Sequence, residues 1–341
     1  MSGDRRLLML TVDDERGAST RYRVLAHRPH LEARGFRTTV RYPLGRPERM
    51  FRPAWRAADL AQDLLDPFIG LLFVHRKMYP PPVARRLRRA GRVVVFDIDD
   101  AVDLPPPGRQ IEPATRDRYR RNFEATMNAA DLVLCGNREL ASRLPHERYE
   151  LLPTPIDTGR FAPSDRRSSG AGRVGWVGHS DNLPYLEALG EPLREVARRH
   201  PGLRLVVVAD RPPKLPGLEV EFRRWSLDTE VSCFDGLGVG LMPLEDTPWA
   251  RGKCAFKAVQ YMALGIPAVI SPVGMNTEVV QDGRTGFLAD APEDWVRALD
   301  LLLSDPARAA QIGKAGREAV VRDYSLRVVS DRLATILESL S

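Results

Sequence analysis

The sequence predicts an α/β protein made of two doubly wound parallel sheets. Short apolar runs alternate with amphipathic helical stretches along most of the 341 residues, as in repeated β–α units. A polar stretch without periodicity, residues 163–172, separates two such series and is expected to be a linker. A chain of this length exceeds one ordinary compact domain, and 43% apolar residues are enough for two cores. We therefore expect two domains of similar size.

Each series contains five or six buried strands of the length typical of parallel sheets. The first series of predicted strands lies at residues 7–12, 38–42, 69–74, 93–97 and 132–134, with helices at 21–34 and 113–129. The second series lies at residues 174–177, 203–208, 218–222, 239–242, 268–271 and 287–289. Three helices near residues 295–303, 307–321 and 326–340 close the chain.

Residues 253–265 carry the most informative pattern in the chain. A core-facing stripe at helical spacing predicts an amphipathic helix, and Lys253, Lys257 and Gln260 repeat at the same spacing on another face. Gly265 suits the position just past a helix end. The chain has five lysines against 46 arginines, so two lysines one turn apart are conspicuous. A compact ammonium suits a diphosphate contacted as a point charge, whereas the alternative is a solvated face with two ordinary surface lysines.

A short buried strand and a glycine loop follow this helix. Residues 268–271 have the length of a buried strand, and Gly274 permits close approach of the backbone to a ligand. A helix beginning near Asn276 would direct free N–H groups at an anion. Polar groups therefore gather at the carboxyl end of a strand, where open α/β sheets bind ligands.

This segment resembles the donor-site region of family 4 retaining glycosyltransferases, which have the GT-B fold. The resemblance rests on residues 252–274, on Glu278 and on the sequence Asp-Gly-Arg-Thr-Gly-Phe-Leu from Asp282. Residues 151–163 resemble the interdomain segment of that family, and the stretches at 175–180 and 240–244 resemble two of its donor-domain strands. Together these matches cover about the last two thirds of the chain.

The resemblance implies a GT-B architecture, with two Rossmann-like doubly wound domains facing a cleft. The implied domains are an acceptor-side domain at 1–162, a nucleotide-sugar donor domain at 163–323 and a helix at 324–341 that crosses back to the first domain. The expected donor-binding residues are Gly178, His179, Arg251, Lys253, Lys257, Gln260, Gly274, Met275, Asn276 and Glu278. Lys253 is also the expected catalytic cation, holding the diphosphate and stabilising the leaving group.

A second cluster, Asp97, Asp99 and Asp100, follows a buried strand of the first series. Carboxylates at the end of such a strand can bind a metal, orient an acceptor hydroxyl or serve as a general base. The resemblance implies cationic side chains and helix N-termini at the diphosphate, so we expect no metal. We expect Asp99 and Asp100 to act catalytically on the acceptor side, across the cleft from Lys253. The alternative is that the carboxylates cap a helix or pair with nearby arginines.

The loop at residues 17–23 joins the first strand to a helix and is expected on the acceptor side. Its small residues allow a ligand near the backbone, Ser19 or Thr20 could cap the helix, and Arg21 or Arg23 could meet a phosphate. A helix cap with ordinary surface arginines is the alternative. Together with Asp97, these four residues complete the predicted acceptor-side set.

Two positions depart from the family pattern. Many members carry a glutamate at each end of the donor helix, and alignment places Gly252 and Gln260 there. The leading interpretation is a retaining, metal-independent, hexosyltransferase-like enzyme. It would move a sugar from a nucleotide diphosphate to an envelope glycan, lipid-linked or small-molecule acceptor, with no cofactor beyond this co-substrate. The alternative is a catalytically weakened GT-B module that binds nucleotide or glycan and acts through a partner.

Charge and cysteine content restrict the remaining classes of function. The net charge is +6, yet no nucleic-acid-binding motif accompanies it, so no nucleic acid is expected. Basic clusters at 85–89 and 41–56 indicate either peripheral contact with an anionic membrane at its inner face or an ordinary solvated surface. Three cysteines without CxxC spacing suggest neither a disulfide framework nor a zinc site. No apolar run approaches the ~20 residues of a membrane span, and we expect a cytoplasmic protein.

Overall fold

The computed structural model describes residues 5–44, 58–63, 70–88, 92–105, 111–145, 148–163 and 172–340. Two compact units share the chain. The first consists of Met1–Pro155, Gly252–Cys254 and Leu326–Ser341, and the second of Ile156–Arg251 and Ala255–Ser325. The second unit begins at Ile156, whereas the sequence-based boundary was residue 163. Ile156 forms a β-bridge with Ser325, the last residue of that unit. Most of the predicted linker and of the basic stretch 41–56, together with Arg89, lies outside the described residues.

The first unit contains a six-stranded parallel sheet in the order β2-β1-β3-β4-β5-β6. Its strands are β1 Arg5–Leu10, β2 Phe36–Arg41, β3 Gly70–His75, β4 Arg92–Ile98, β5 Leu132–Cys135 and β6 Tyr149–Leu151. The chain runs outward from β1 to β2 and then returns to the other side of β1 with β3. The strand order therefore reverses between β1 and β3, which is where doubly wound sheets form their ligand crevice.

Helices flank this sheet and complete its core. They are Ala18–Arg23, Arg28–Ala33, residues 58–63, Pro81–Leu87, Pro113–Ala129, Arg138–Ser142 and the C-terminal helix Leu326–Glu338. Val329, Leu333 and Leu337 of the C-terminal helix join Leu7 and Phe73 in one buried cluster. Each of these side chains is at most 2% exposed, and burying a side chain of this size stabilises by about 1.5 to 3 kcal/mol.

The second unit contains another six-stranded parallel sheet, in the order β12-β11-β10-β7-β8-β9. Its strands are β7 Arg173–Val177, β8 Arg204–Ala209, β9 Val220–Arg224, β10 Val239–Met242, β11 Ala268–Ile270 and β12 Phe287–Leu288. Its helices are Leu183–Glu187, Gly190–Arg199, Pro248–Arg251, Phe256–Ala263, Asn276–Val279, Pro292–Ser304 and Pro306–Asp323. Here the strand order reverses between β7 and β10. The prediction of two doubly wound parallel sheets is confirmed.

Local differences from the predicted elements have identifiable causes. The predicted helix 21–34 is two short helices, because Val24 leaves helical geometry at φ −123° and Pro29 starts a second helix. The predicted end of the donor helix is correct. Gly265 adopts φ +70°, and the amide of Ile266 donates to the carbonyl oxygen of Tyr261 at 2.9 Å, closing the helix in the manner of a Schellman motif.

Candidate active site

The carboxyl end of β4 carries a buried charge cluster in the first unit. Asp97 is 0% exposed and accepts hydrogen bonds from the guanidinium of Arg23, which is 1% exposed. His75 Nδ1 lies 2.7 Å from Asp97 Oδ2. Burial alone would raise the pKa of Asp97, but the charge of Arg23 and the bond from His75 outweigh it and lower that pKa to about 2.

This geometry corrects one sequence prediction. Arg23 and Asp97 were expected to contact an acceptor, yet both side chains are enclosed and directed at each other. Arg23 also donates to the carbonyl oxygen of Leu152 at 2.7 Å. Two full charges so enclosed are stable only when they are paired and hydrogen-bonded, and these are. Arg23 and Asp97 therefore join the end of β4 to the first helix and to the end of β6.

Asp99 and Asp100 lie just beyond β4 and are held by Arg76. The guanidinium of Arg76 places Nε 2.8 Å from Asp99 Oδ1 and Nη2 2.8 Å from Asp100 Oδ2. The pairing with an arginine that was considered as an alternative is thus present, while both carboxylates keep some exposure, 11% and 28% of their side chains. Sequence reasoning missed Arg76. The signal available was the polar run His75-Arg76-Lys77 directly after an apolar strand.

Lys253 belongs to the first unit and is not part of the donor helix. The helix begins at Phe256, and Ala255 before it has φ +50°, so Lys253 and Lys257 do not repeat on one helical face as predicted. The side-chain amide of Asn137 donates to the carbonyl oxygen of Lys253 at 3.0 Å, and the Cys254 thiol donates to the carbonyl oxygen of Asp99 at 3.1 Å. The prediction that Lys253 and the aspartates belong to opposite domains is therefore corrected.

The environment of Lys253 perturbs its ionisation. Burial lowers the pKa of the Lys253 ammonium, the charge of Asp100 raises it, and the charge of Arg76 lowers it. The net direction is downward. Gly252 beside it is buried against Ala101, where a Cβ on Gly252 would lie 2.8 Å from the Cβ of Ala101. A glutamate side chain does not fit at position 252 in this arrangement, so the departure from the family pattern has a steric cause here.

The loop after β1 places its polar residues in different surroundings. Gly17, without a side-chain cap, precedes the helix Ala18–Arg23, so the predicted cap by Ser19 or Thr20 is wrong. Ser19 Oγ instead accepts from Arg76 Nη1 at 3.2 Å, and the buried Thr20 hydroxyl donates to the carbonyl oxygen of Asp13. Arg21 stacks on the ring of Tyr22 at 5.1 Å. The structure thus brings Ser19 of this loop to the guanidinium of Arg76.

A pocket of about 550 Å³ opens beside Arg76 in the first unit. Its walls are mostly apolar, and a few polar groups line it. They comprise Val12, Arg76, Met78, Val102, Leu104, Pro105, Ile111, Glu112, Thr115 and Tyr119. Ligand pockets commonly have volumes of ~300 to 1,000 Å³ and this mixture of lining groups.

In the second unit, the end of β7 forms a tight contact between Gly178, Trp176 and Lys257. The Lys257 ammonium lies 5.0 Å from the ring of Trp176, in cation–π geometry. A Cβ on Gly178 would lie 2.7 Å from Trp176 and 2.9 Å from Lys257 Cε, so a glycine is needed there. The helix that carries Lys257 is fixed by Tyr261, whose hydroxyl accepts from the amide of Val177 at 3.1 Å. Gln260, next to it, is 8% exposed.

His179 is the most exposed of the predicted donor-side residues after β7. Its side chain is 65% exposed, and its ring nitrogens lie 3.4 Å from Asp181 and 4.0 Å from Asp210. Asp210, at the end of β8, accepts from both the amide and the hydroxyl of Ser180 at 2.7 Å. The loop after β7 is therefore tied to the end of β8 and leaves the imidazole accessible.

The glycine loop after β11 packs on protein backbone. Gly274 has φ +55°, and a Cβ on it would lie 2.5 Å from the carbonyl oxygen of Arg251, so its close approach is to that backbone. Asn276 is 1% exposed and donates to the carbonyl oxygen of Ser271 at 2.8 Å, and Met275 is also buried. Glu278 is exposed, as is Arg251, whose guanidinium pairs with Asp246 at 2.6 Å. Arg251 and Glu278 are therefore accessible to a ligand, whereas Met275 and Asn276 support the loop.

Clusters of metal-ligating side chains and membrane-spanning helices are both absent from the residues that the structure describes. No group of three or more His, Cys, Asp or Glu side chains in that part of the chain has the arrangement to hold a metal ion. No helix within the same residues has both the length and the apolar character needed to cross a bilayer.

Comparisons with known proteins decide the family. The model of the family "Glycosyl transferases group 1" matches residues 171–305. The GDP-mannose-dependent alpha-(1-6)-phosphatidylinositol monomannoside mannosyltransferase of Mycolicibacterium smegmatis is 30% identical over 288 residues, which are 75% of this chain and 72% of the relative. This chain belongs to the group 1 glycosyltransferases. The glycosyltransferase is also 28% identical to a D-inositol 3-phosphate glycosyltransferase of Nocardioides over 222 residues, 54% of this chain and 48% of that relative.

Solved structures agree with this group 1 glycosyltransferase in fold. Sucrose-phosphate synthase from Thermosynechococcus elongatus superposes with a TM-score of 0.75 at 15% identity, covering 98% of this chain and 99% of the other. HepE of Anabaena, solved with UDP and glucose, gives a TM-score of 0.71 at 15% identity, covering 98% and 100%. The resemblance to family 4 and the GT-B class of fold, both predicted from sequence, are confirmed.

Proposed function

We propose that this glycosyltransferase is a retaining enzyme that transfers a sugar from a nucleotide diphosphate to an envelope glycan, lipid-linked or small-molecule acceptor. The observation that carries the proposal is the grouping of Lys253 with Asp99, Asp100 and Arg76 at the carboxyl ends of the strands. Ligands of open α/β sheets bind at this edge. A partly buried cation beside partly exposed carboxylates provides one group for a leaving anion and another for an attacking hydroxyl.

Lys253 is proposed to contact the donor diphosphate. As the bond between the anomeric carbon and the diphosphate oxygen breaks, negative charge grows on the leaving group, and a fixed ammonium stabilises the transition state more than the ground state. Because Lys253 is partly buried, its charge is less screened than that of a fully exposed lysine. No metal ion is then required for the leaving group. Within the second unit, Lys257, Gly178, His179 and Arg251 are proposed as donor-binding residues.

Asp99 and Asp100 are proposed to position the acceptor hydroxyl. In a retaining transfer the hydroxyl oxygen bonds to the anomeric carbon on the face that the diphosphate leaves, and its proton passes to a diphosphate oxygen. A strong base is then unnecessary, and position matters more than basicity. The pocket beside Arg76 is proposed to receive the part of the acceptor beyond that hydroxyl.

A lipid-linked acceptor is favoured by one relative and by the charge of the chain. The Mycolicibacterium relative is named for a phosphatidylinositol monomannoside acceptor. Arg85 and Arg86 are exposed on one short helix of the first unit, and the exposed Arg88 follows its last residue. Each basic residue near an anionic surface contributes about 1 kcal/mol, so peripheral contact with a membrane at its inner face belongs to the proposal, with the protein in the cytoplasm.

The test is a transfer assay with purified protein. GDP-mannose, UDP-glucose and UDP-N-acetylglucosamine are first screened by thermal shift, since specific binding raises stability with ligand concentration. The binding donor is then incubated with phosphatidylinositol monomannoside and with simple glycosides, and the anomeric configuration of the product is read by NMR. Retention of configuration supports the proposal. Inversion contradicts the retaining mechanism, and absence of both transfer and donor hydrolysis contradicts the enzymatic function.

Gly252 favours a second candidate, a catalytically weakened module that binds nucleotide or glycan and acts through a partner. The glycine stands where many family members have glutamate, and its packing on Ala101 excludes a larger side chain. Specific donor binding without turnover in the same assay would support this candidate.

A further inference from the structure

Arg76 occupies a strained position at the switch point of the first sheet. It is the first residue after β3, and its amide donates to the carbonyl oxygen of Asp97 at 2.9 Å. Its φ is +57°, in the left-handed region where glycine is the usual residue. A non-glycine residue persists in this region only where its surroundings enforce it, and such residues cluster at functional sites.

The guanidinium of Arg76 joins three loops of that site. It reaches Ser19 after β1 at 3.2 Å, and Asp99 and Asp100 after β4 at 2.8 Å each. Arg76 itself follows β3, which lies between these two strands in the sheet. The planar guanidinium of an arginine fixes the directions of its N–H groups, whereas a lysine ammonium acts as a point charge on a flexible stem.

We propose that Arg76 is a positioning residue that fixes Asp99 and Asp100 for the acceptor hydroxyl. The inference rests on the proposed transferase function and deepens its acceptor side. Arg76 also lines the 550 Å³ pocket, so it connects the two carboxylates with the space proposed for the acceptor. Loss of the guanidinium leaves both carboxylates present without these ion pairs, and Asp100 then keeps the hydrogen bond from the amide of Ala101 at 3.0 Å. Small displacements of a reacting group are costly.

A matched pair of variants separates the guanidinium from the backbone. Arg76→Ala and Arg76→Gly both remove the guanidinium, but only glycine adopts φ +57° without strain. We expect both to lower transfer to the acceptor by about the same factor, on the order of 100-fold, while donor hydrolysis by water changes little. Arg76→Lys keeps the charge without the fork, and we expect a raised acceptor KM. Arg120→Ala, at an exposed arginine 3.7 Å from Asp117 in the same unit, is the control.

A double-mutant cycle with Asp100→Asn tests whether Arg76 acts through the carboxylate. Once Asp100 is neutral, the Arg76→Ala change should reduce transfer by much less than it does in the wild type. Fully additive losses overturn the inference. It is also overturned by a normal rate in Arg76→Gly with a loss in Arg76→Ala, and by equal losses of hydrolysis and transfer. Absence of transfer by the wild type contradicts the proposed function itself, whereas normal transfer by Arg76→Ala contradicts only the role of Arg76.

Discussion

Replacing Asp97 by asparagine tests the buried charge cluster at the end of β4, where Arg23 and His75 enclose this carboxylate. Asp97→Asn keeps the shape of the side chain and removes its charge, which leaves the Arg23 guanidinium buried without a counterion. Removing one partner of a buried pair costs about 3 to 5 kcal/mol. With about 2 to 4 °C per kcal/mol for a unit of this size, the melting temperature of the first unit should fall by roughly 6 to 20 °C.

The pH dependence of unfolding gives a second estimate of the stability that ionised Asp97 contributes. The pKa of Asp97 is lowered from 3.8 to about 2, so the ionised form contributes stability above pH ~4 that is lost as the pH falls through about 2. At about 1.4 kcal/mol for each unit of pKa, this contribution is roughly 2 to 3 kcal/mol. Between pH 4 and 2 the wild type should therefore lose more stability than Asp97→Asn. Stability falls with falling pH because the Asp97 carboxylate binds its proton at a lower pH in the folded state than in the unfolded state.

The assay is calorimetric unfolding of wild type, Asp97→Asn and Asp117→Asn. Asp117→Asn is the control, because it makes the same substitution at an exposed position of the first unit, where an arginine lies 3.7 Å away. A surface ion pair of this kind contributes about 0 to 1 kcal/mol. The control should melt like the wild type. If Asp97→Asn also melts within 2 °C of the wild type (roughly 1 kcal/mol) but loses transfer, the buried-pair account is refuted and the acceptor contact stands.

Three further predictions concern activity. The rate of donor hydrolysis should fall at alkaline pH with a midpoint below the ordinary lysine pKa of 10.5, because burial lowers the pKa of Lys253 and the protonated form is active. Asp100→Asn removes a charge that raises this pKa, so the midpoint in a pH–rate profile should move to still lower pH. Activity should survive exhaustive chelation, since cationic side chains serve the diphosphate, and complete loss restored by Mg²⁺ or Mn²⁺ would show that the aspartates were misread. Asp99→Asn or Asp100→Asn should reduce acceptor transfer more than donor hydrolysis in parallel assays, and equal losses would indicate a donor-side or folding role.

Local pattern was sufficient for most of the fold. Apolar runs such as that of β4 predict buried parallel strands, and Gly265 marks the helix end because its φ of +70° favours glycine. The amphipathic helix predicted from the pattern of residues 253–265 begins later than expected, at Phe256, since helical spacing continues through Lys253 although the left-handed Ala255 interrupts the backbone. Periodicity records side-chain type and does not reveal such an interruption.

The site itself was predicted in part. Residue types and strand ends identified Asp99, Asp100 and Lys253 as candidates, but their grouping depends on which unit the segment Gly252–Cys254 packs against. That packing depends on the Asn137 amide and the Cys254 thiol, contacts 116 and 155 residues apart in sequence. Arg76 was missed because its importance lies in a backbone angle and in two ion pairs, neither of which one sequence displays.

Comparison of Lys253→Ala with the wild type tests whether Lys253 stabilises the leaving diphosphate. Single-turnover transfer and the Kd of the nucleoside diphosphate are measured on the same preparations, with Lys214→Ala as a control at another of the five lysines. Because charge on the leaving group grows only in the transition state, we expect a loss of kcat that exceeds the loss of binding, with Lys214→Ala unchanged. An unchanged kcat in Lys253→Ala, or a loss of binding as large as the loss of rate, would contradict it.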